Sequence, residues 1–227
     1  MARSVVLAGT PRCDVCRLPP RWCVCGAVPP VETTVRVDVL IHRSEQWRPS
    51  STGGLVARAV AAARCHVYQR EDRFHAGVFQ PEALRLPGHE LWVLHPRGEE
   101  LPAGGGAATP QVLLLDGNWR QANHMLRAVE RLGRCVRLPA GGVSRFWLRD
   151  QHATGHLSTA EALLGVMRAL GDTRAADRFR LHFELHVYAT LRARGQRQLA
   201  ADFLRDSPLR AELPAVLERL EMPRSAG

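Results

Sequence analysis

Apolar positions along this chain fall into two rhythms. The first is short and strand-like. Val112, Leu113, Leu114 and Leu115 form an unbroken apolar run after Gln111, which suits a strand buried on both faces of a parallel sheet. Val35 to Ile41 alternates apolar and polar residues, Cys65 to Gln69 and Cys135 to Leu138 read as two further strands, and Leu91 to Leu94 is another that ends at His95-Pro96. The second rhythm is helical. One helix is expected from Leu55 to about Arg64. Another begins at Asn118, with Ala122, Met125, Leu126, Val129 and Leu132 on one face and Arg120, His124, Arg127 and Arg131 on the opposite one. Ser158-x-x-Glu161 is a capping box that opens an apolar helix running to about Leu170. From Asp172 the pattern is helical throughout: Thr173 to Arg194, Gln196 to Arg205 and Leu209 to Leu220. Strands alternating with helices predict an α/β fold, a mostly parallel sheet flanked by helices.

Three connections carry candidate chemistry. The central apolar run stops at Asp116-Gly117, which leaves a carboxylate at the carboxyl end of a buried strand. In open α/β sheets ligands bind along that edge, although an Asp there can also simply cap the next helix. Residues 43–54 are polar and turn-rich, and Ser50, Ser51 and Thr52 precede Gly53-Gly54 at a helix start. Such a start can hold an anion or be an ordinary cap. The long loop over residues 141–162 carries Ser144, Arg145, Phe146, Trp147 and Arg149. Its arginines and aromatics suit phosphate contact and base stacking, and the aromatics alternatively belong to the core. Gly104 to Gly106 reads as a flexible surface connection, since neither a G-x-G-x-x-G nor a Walker pattern occurs.

Composition sharpens this picture in two ways. Net charge is +9, with a pI near 10.4, which favours a polyanionic partner such as a nucleic acid. All basic residues are arginine, so Schiff-base and P-loop lysine chemistry are excluded. No apolar run approaches the roughly 20 residues of a membrane span, and Val5 to Ala8 is too short for a secretion signal, so no membrane partner and a cytoplasmic location are expected. Cys13, Cys16, Cys23 and Cys25 follow a C-x2-C-x6-C-x-C pattern whose four thiolates suit structural zinc or an iron–sulfur centre, with zinc the first reading. Pro29-Pro30 marks a boundary between this small metal-binding segment, residues 1–30, and a main domain over residues 31–227. Cys65 and Cys135 read as ordinary buried thiols. His182 and His186 are spaced for a metal pair but have no obvious third ligand, so core or surface histidines are the preferred reading.

Taken together, five segments resemble the DTW-domain proteins, the tRNA-uridine aminocarboxypropyltransferases. They are the cysteine pattern, R-P-S-S-T-G-G-L at 48–55, L-L-D-G-N-W at 114–119, S-R-F-W-L-R at 144–149 and L-S-T-A-E-A at 157–162. One departure is Asn118, which stands where that family usually has threonine; Asn keeps a cap-competent side chain, but any role of the threonine hydroxyl is lost. The resemblance implies transfer of the 3-amino-3-carboxypropyl group of S-adenosylmethionine to N3 of a tRNA uridine, with release of methylthioadenosine. It also implies a SPOUT-like fold with a C-terminal trefoil knot. In that reading Asp116 is the general base for uridine N3–H. Either Ser51–Thr52 or Ser158–Thr159 holds the donor's carboxylate. Leu115, Gly117, Asn118, Trp119 and Glu161 complete the cofactor-binding set, with Trp119 expected to pack beneath the site and stacking on a base as its alternative role. Arg120, Arg127, Arg131, Arg145 and Arg149 are the expected RNA-binding residues. The competing readings are a zinc-knuckle RNA-binding protein without catalysis and a SPOUT-like RNA methyltransferase.

Overall fold

The computed structural model of the chain describes residues 11–69, 79–102, 110–139, 142–149 and 157–222. The expectations made for Val5 to Ala8, for Gly104 to Gly106 and for residues 150–156 of the long loop lie outside them. Among the described residues, five strands form one sheet: β1 (Arg36–His42), β2 (Arg64–Tyr68), β3 (Glu90–Glu100), β4 (Pro110–Asp116) and β5 (Arg134–Arg137). Every pairing is parallel and the order is β2-β1-β4-β3-β5. The apolar run Val112 to Leu115 is therefore the centre of the sheet, as an unbroken hydrophobic strand predicts.

Side chains alternate across the sheet into two cores. Val37, Val39, Ile41, Val112 and Leu114 face one side, which is covered by α1 (Thr52–Ala59), α3 (Thr159–Ala169) and α4 (Thr173–Ala193). Leu40, Leu91, Val93 and Leu113 face the other, where Met125, Leu126 and Val129 of α2 (Trp119–Val129) dock. The apolar stripe of α2 thus packs as its periodicity requires, and Arg120, Arg127 and Arg131 are left exposed. The buried acid inside the sheet is fully engaged. Asp38 of β1 accepts hydrogen bonds from Arg64 (2.8 and 3.1 Å), His66 (2.7 Å) and the Gln111 amide (2.8 Å), which ties the amino end of β4 to its neighbours.

Topology selects the functional edge. From β1 the chain crosses by α1 to β2 at one side of the sheet; from β4 it crosses by α2, on the opposite face, to β5 at the other side. β1 and β4 are adjacent, with Ile41 paired to Asp116. Connections that leave adjacent parallel strands in opposite directions open a crevice at their carboxyl ends. That crevice lies at Asp116 and residues 43–54.

Several boundaries differ from the sequence expectation, each for a local reason. α1 starts at Thr52 and stops at Ala59, earlier at both ends, because Ser51 caps it through Gly54 N–H (3.0 Å) and Val60 leaves to form a parallel bridge with Val31. β3 does not end at His95-Pro96. Leu94 and Glu99 both pair with Val136, so residues 95–98 loop out and the strand resumes, with Gly98 so close to β5 that a Cβ would stand 2.5 Å from the Val136 backbone. The last expected helix splits into α6 (Leu209–Glu212) and α7 (Pro214–Glu221), because Pro214 cannot continue a helix and drives Leu213 out of helical geometry. α5 (Arg197–Phe203) begins and ends as a shorter helix inside the expected range. Cys65 is exposed rather than buried, since β2 is an edge strand.

Replacing Leu113 by Ala is expected to destabilise the chain by about 2–5 kcal/mol, the cost of a cavity in a core with no exposed side. Urea unfolding followed by circular dichroism measures it.

Candidate functional site

Asp116 is 2% exposed, and its carboxylate joins three segments distant in sequence. Ser51 Oγ donates to Oδ2 at 2.9 Å, Gly53 N–H donates to Oδ1 at 3.0 Å, and Thr159 Oγ1 donates to Oδ1 at 2.6 Å. A Cβ on Gly53 would lie 2.5 Å from both Cβ and Cγ of Asp116, so only glycine permits this approach. Thr52 Oγ1, at the first residue of α1, is fully buried and has no hydrogen-bond partner among the described residues. A desolvated hydroxyl without a partner is costly unless a ligand completes it.

The neighbouring motifs are knotted together by hydrogen bonds. Asn118 forms a full capping box with Gln121 (3.0 and 2.8 Å), so the residue that departs from the usual threonine keeps the cap. Gln121 Nε2 then donates to Ser44 Oγ (2.8 Å), which links α2 to the loop after β1. Glu161 caps α3 through Ser158 and also accepts from Ser144 Oγ (2.8 and 2.9 Å) and Arg145 N–H (2.6 Å). Its two oxygens hold the 144–149 segment onto α3. Ser158 is occupied in the same way, while Thr159 faces Asp116. Leu115 is partly buried on the α2 side of the sheet, and Gly117 forms the turn between them.

Two expectations about aromatic and basic residues change. Trp119 is 46% exposed and meets buried His95 edge-on at 6.0 Å, so it stands at the mouth of the crevice and does not pack beneath it. Arg145 turns inward: it pairs with buried Glu184 at 2.7 Å, donates to the Phe203 carbonyl at 2.9 Å and lies over the Phe203 ring. The guanidinium is needed there because Glu184 is a buried charge, so the partly buried Arg145 is engaged within the protein. Phe146 and Trp147 follow it, stacking on Phe183 and against Phe203. Arg149 is exposed over the Phe146 ring and joins Arg120, Arg127 and Arg131 as outward-facing cations.

Sequence reasoning passed over two residues of the loop after β1. Trp47 is 61% exposed, with Arg17 of the cysteine segment 4.5 Å from its ring centroid. Glu45 is only 8% exposed, because successive turns (Glu45 N–H to His42 O, Arg48 N–H to Glu45 O, Ser51 N–H to Arg48 O) fold the loop over it. Burial raises its carboxyl above the usual range, Arg48 and Arg149 oppose the shift, and the charge of Asp116 adds to it. An aromatic and a carboxylate inside an otherwise polar loop were the available signals.

The four cysteines come together. Cys13 and Cys25 Sγ are 3.8 Å apart, as are Cys16 and Cys23, and all four lie within 4.8 Å of one another. Four thiolates bound to one ion at about 2.3 Å sit roughly 3.8 Å apart on each tetrahedral edge. A sulfide-bridged cluster would spread its ligands further, so these residues fit a single tetrahedral metal ion. Arg17 takes a left-handed conformation (φ 62°) to turn the first pair. Behind the cluster, Arg58 of α1 donates to His186 Nδ1 (3.1 Å) and has no carboxylate partner among the described residues, while all four cysteines act on its charge. His182 bonds the Pro29 carbonyl (2.9 Å), so the two histidines of α4 serve packing and not metal.

The pattern of the DTW domain matches residues 10–191. Over 170 residues the chain is 27% identical to tRNA-uridine aminocarboxypropyltransferase 2 of Drosophila melanogaster, covering 70% of this chain and 66% of that relative, just under two thirds of its length. No solved structure matches the chain.

Gly53→Ala is expected to lower stability by about 1–3 kcal/mol, because Asp116 must shift to admit the methyl group; differential scanning calorimetry measures the loss. Native mass spectrometry of the purified chain is expected to show one divalent ion per molecule, lost in Cys16→Ser.

Proposed function

The chain belongs to the DTW domain family, and we propose that it transfers the 3-amino-3-carboxypropyl group of S-adenosylmethionine to N3 of a uridine in tRNA, releasing methylthioadenosine. The observation that carries this reading is the convergence of three motif segments, 48–55, 114–119 and 157–162, on the carboxylate of Asp116 at the sheet's switch point. The relative's name, a tRNA-uridine aminocarboxypropyltransferase, supports the reaction class.

The residues fit such a donor. Its electrophilic carbon, next to the sulfonium, is what the donor contributes when bound. Thr52 Oγ1, buried and unpartnered at the start of α1, is suited to the donor's carboxylate, and the adjoining helix terminus favours negative charge. Of the two loops that could hold that group, Ser51–Thr52 is the better candidate, since Thr52 Oγ1 has no partner among the described residues, whereas Ser158 is tied to Glu161 and Thr159 to Asp116. Leu115, Gly117, Asn118 and Trp119 border the same edge. Asp116 orders the site by holding both hydroxyl-bearing segments in place.

For the RNA, Arg120, Arg127, Arg131 and Arg149 offer phosphate contacts, and exposed Trp119 and Trp47 offer faces on which an unstacked base can lie. An uncovered uridine in a tRNA loop meets these requirements. Zinc is the metal we assign to the four cysteines, in a structural role. The all-parallel sheet with crossovers on both faces supports the SPOUT-like reading, of which the C-terminal knot is a part. No described helix is long and apolar enough to cross a membrane, and a tRNA substrate suits a cytoplasmic location.

Incubation of the purified chain with S-adenosylmethionine and unmodified tRNA is expected to yield methylthioadenosine and a uridine heavier by one aminocarboxypropyl group, both detected by mass spectrometry. Appearance of S-adenosylhomocysteine instead would establish methyl transfer and overturn the reading. Binding without any product would leave an RNA-binding protein.

A further inference from the structure

We infer that Glu45, and not Asp116, takes the proton from uridine N3 during the transfer. This inference rests on the aminocarboxypropyl reading and adds to it the identity of the proton acceptor.

An ionised carboxylate offers about four acceptor positions. Ser51, Gly53 and Thr159 occupy three of those on Asp116, and the carboxylate is almost fully buried behind them. The one position left belongs to a carboxylate only 2% exposed, walled in by the groups that hold the site together. Glu45 is the contrasting case. It is nearly as buried, yet its carboxylate has one partner among the described residues, the exposed Arg48 at 3.3 Å. Nothing else among the described residues donates to it.

Position agrees. Glu45 lies in the loop leaving β1, the strand beside β4, so it shares the switch-point crevice with Asp116. Three charges face it from the surrounding segments: Arg48 of its own loop, Asp116 at the end of β4 and Arg149 of the 144–149 segment. Two carboxylates in one crevice, one tied by three donors and the other sparsely partnered and desolvated, divide the labour: the first anchors the site, the second is the acid–base group. Desolvation raises the Glu45 carboxyl and so brings its proton affinity nearer to that of a weakly acidic imide.

The N3–H bond breaks with its proton passing to a Glu45 oxygen. The N3 electron pair forms the new N–C bond, and the C–S bond breaks with its electron pair returning to sulfur, so the sulfonium becomes the neutral thioether of methylthioadenosine. The proton then leaves Glu45 for water at the rim, where Arg48 is exposed. No oxidant or further reactant is needed.

The sign of the pH dependence follows. The base must be ionised to act, and its carboxyl is raised, so the wild-type rate should climb as pH rises through the Glu45 titration and then level off.

The test is single-turnover transfer to unmodified tRNA across pH, with titration of tRNA and S-adenosylmethionine binding alongside. Glu45→Gln is expected to lose about 10²- to 10⁴-fold in rate, to bind both substrates within about twofold of wild type, and to lack the acid limb. Glu45→Asp, which keeps a carboxylate, should restore that limb at a reduced rate. An acid limb that persists in Glu45→Gln, or a limb missing from Glu45→Asp as well, overturns the inference, and so does a Gln variant whose whole loss lies in binding. Should wild type itself release no methylthioadenosine, the transfer reading fails, a result distinct from either of these.

Discussion

A buried carboxylate needs donors, and in this protein the need is met from two directions. Asp116 receives a hydroxyl and a backbone N–H from the segment that opens α1, and a second hydroxyl from the first residue of α3. Hydrogen bonds to a charged group contribute on the order of 1.5–3 kcal/mol each, and leaving such a charge unpaired in the interior costs more. Two loops are therefore drawn against one strand end, and the crevice between them takes its shape from that convergence. Gly53 and Thr52 are held there too, one by the absence of a side chain and the other with a hydroxyl still lacking a partner.

The motifs around this point also serve each other. Glu161 is a helix cap and, through Ser144 and Arg145 N–H, the clasp on the neighbouring loop. Arg145 continues inward to Glu184, a buried acid shared with Arg180. Segments that look in sequence like independent binding elements thus divide into groups that face a ligand and groups that hold those groups still. Exposure separates them: Arg149, Trp47 and Trp119 face outward, whereas Arg145, Phe146 and Glu161 do not.

That division marks what the sequence could reveal. Periodicity located all five strands, because burial on both faces writes an apolar run and half-burial writes alternation. The caps at Asn118 and Ser158 were legible because their partners lie three residues away. Asp116 was legible as a strand-end carboxylate, and the basic stripe of α2 as the face opposite its apolar one. Glu45 was not, since its burial comes from the folding of its own loop against segments far along the chain. Arg145 was misplaced for a similar reason: an arginine beside aromatics reads the same whether it seeks phosphate or a buried glutamate nearly forty residues on. The outward bulge of β3 depends on a neighbouring strand and leaves only Gly98 as a trace.

The cysteine segment has no interior of its own. Cys16, Leu18, Val24 and Val28 enter the same core as the sheet, and the four cysteines act on the charge of Arg58 in the helix that follows Ser51. An ion held by those sulfurs would bind the native state and not the unfolded chain, so its binding free energy would become folding free energy for the whole domain. The lifetime of the protein in a cell would then follow the supply of that ion, and scarcity would be felt first as loss of molecules rather than as slower turnover.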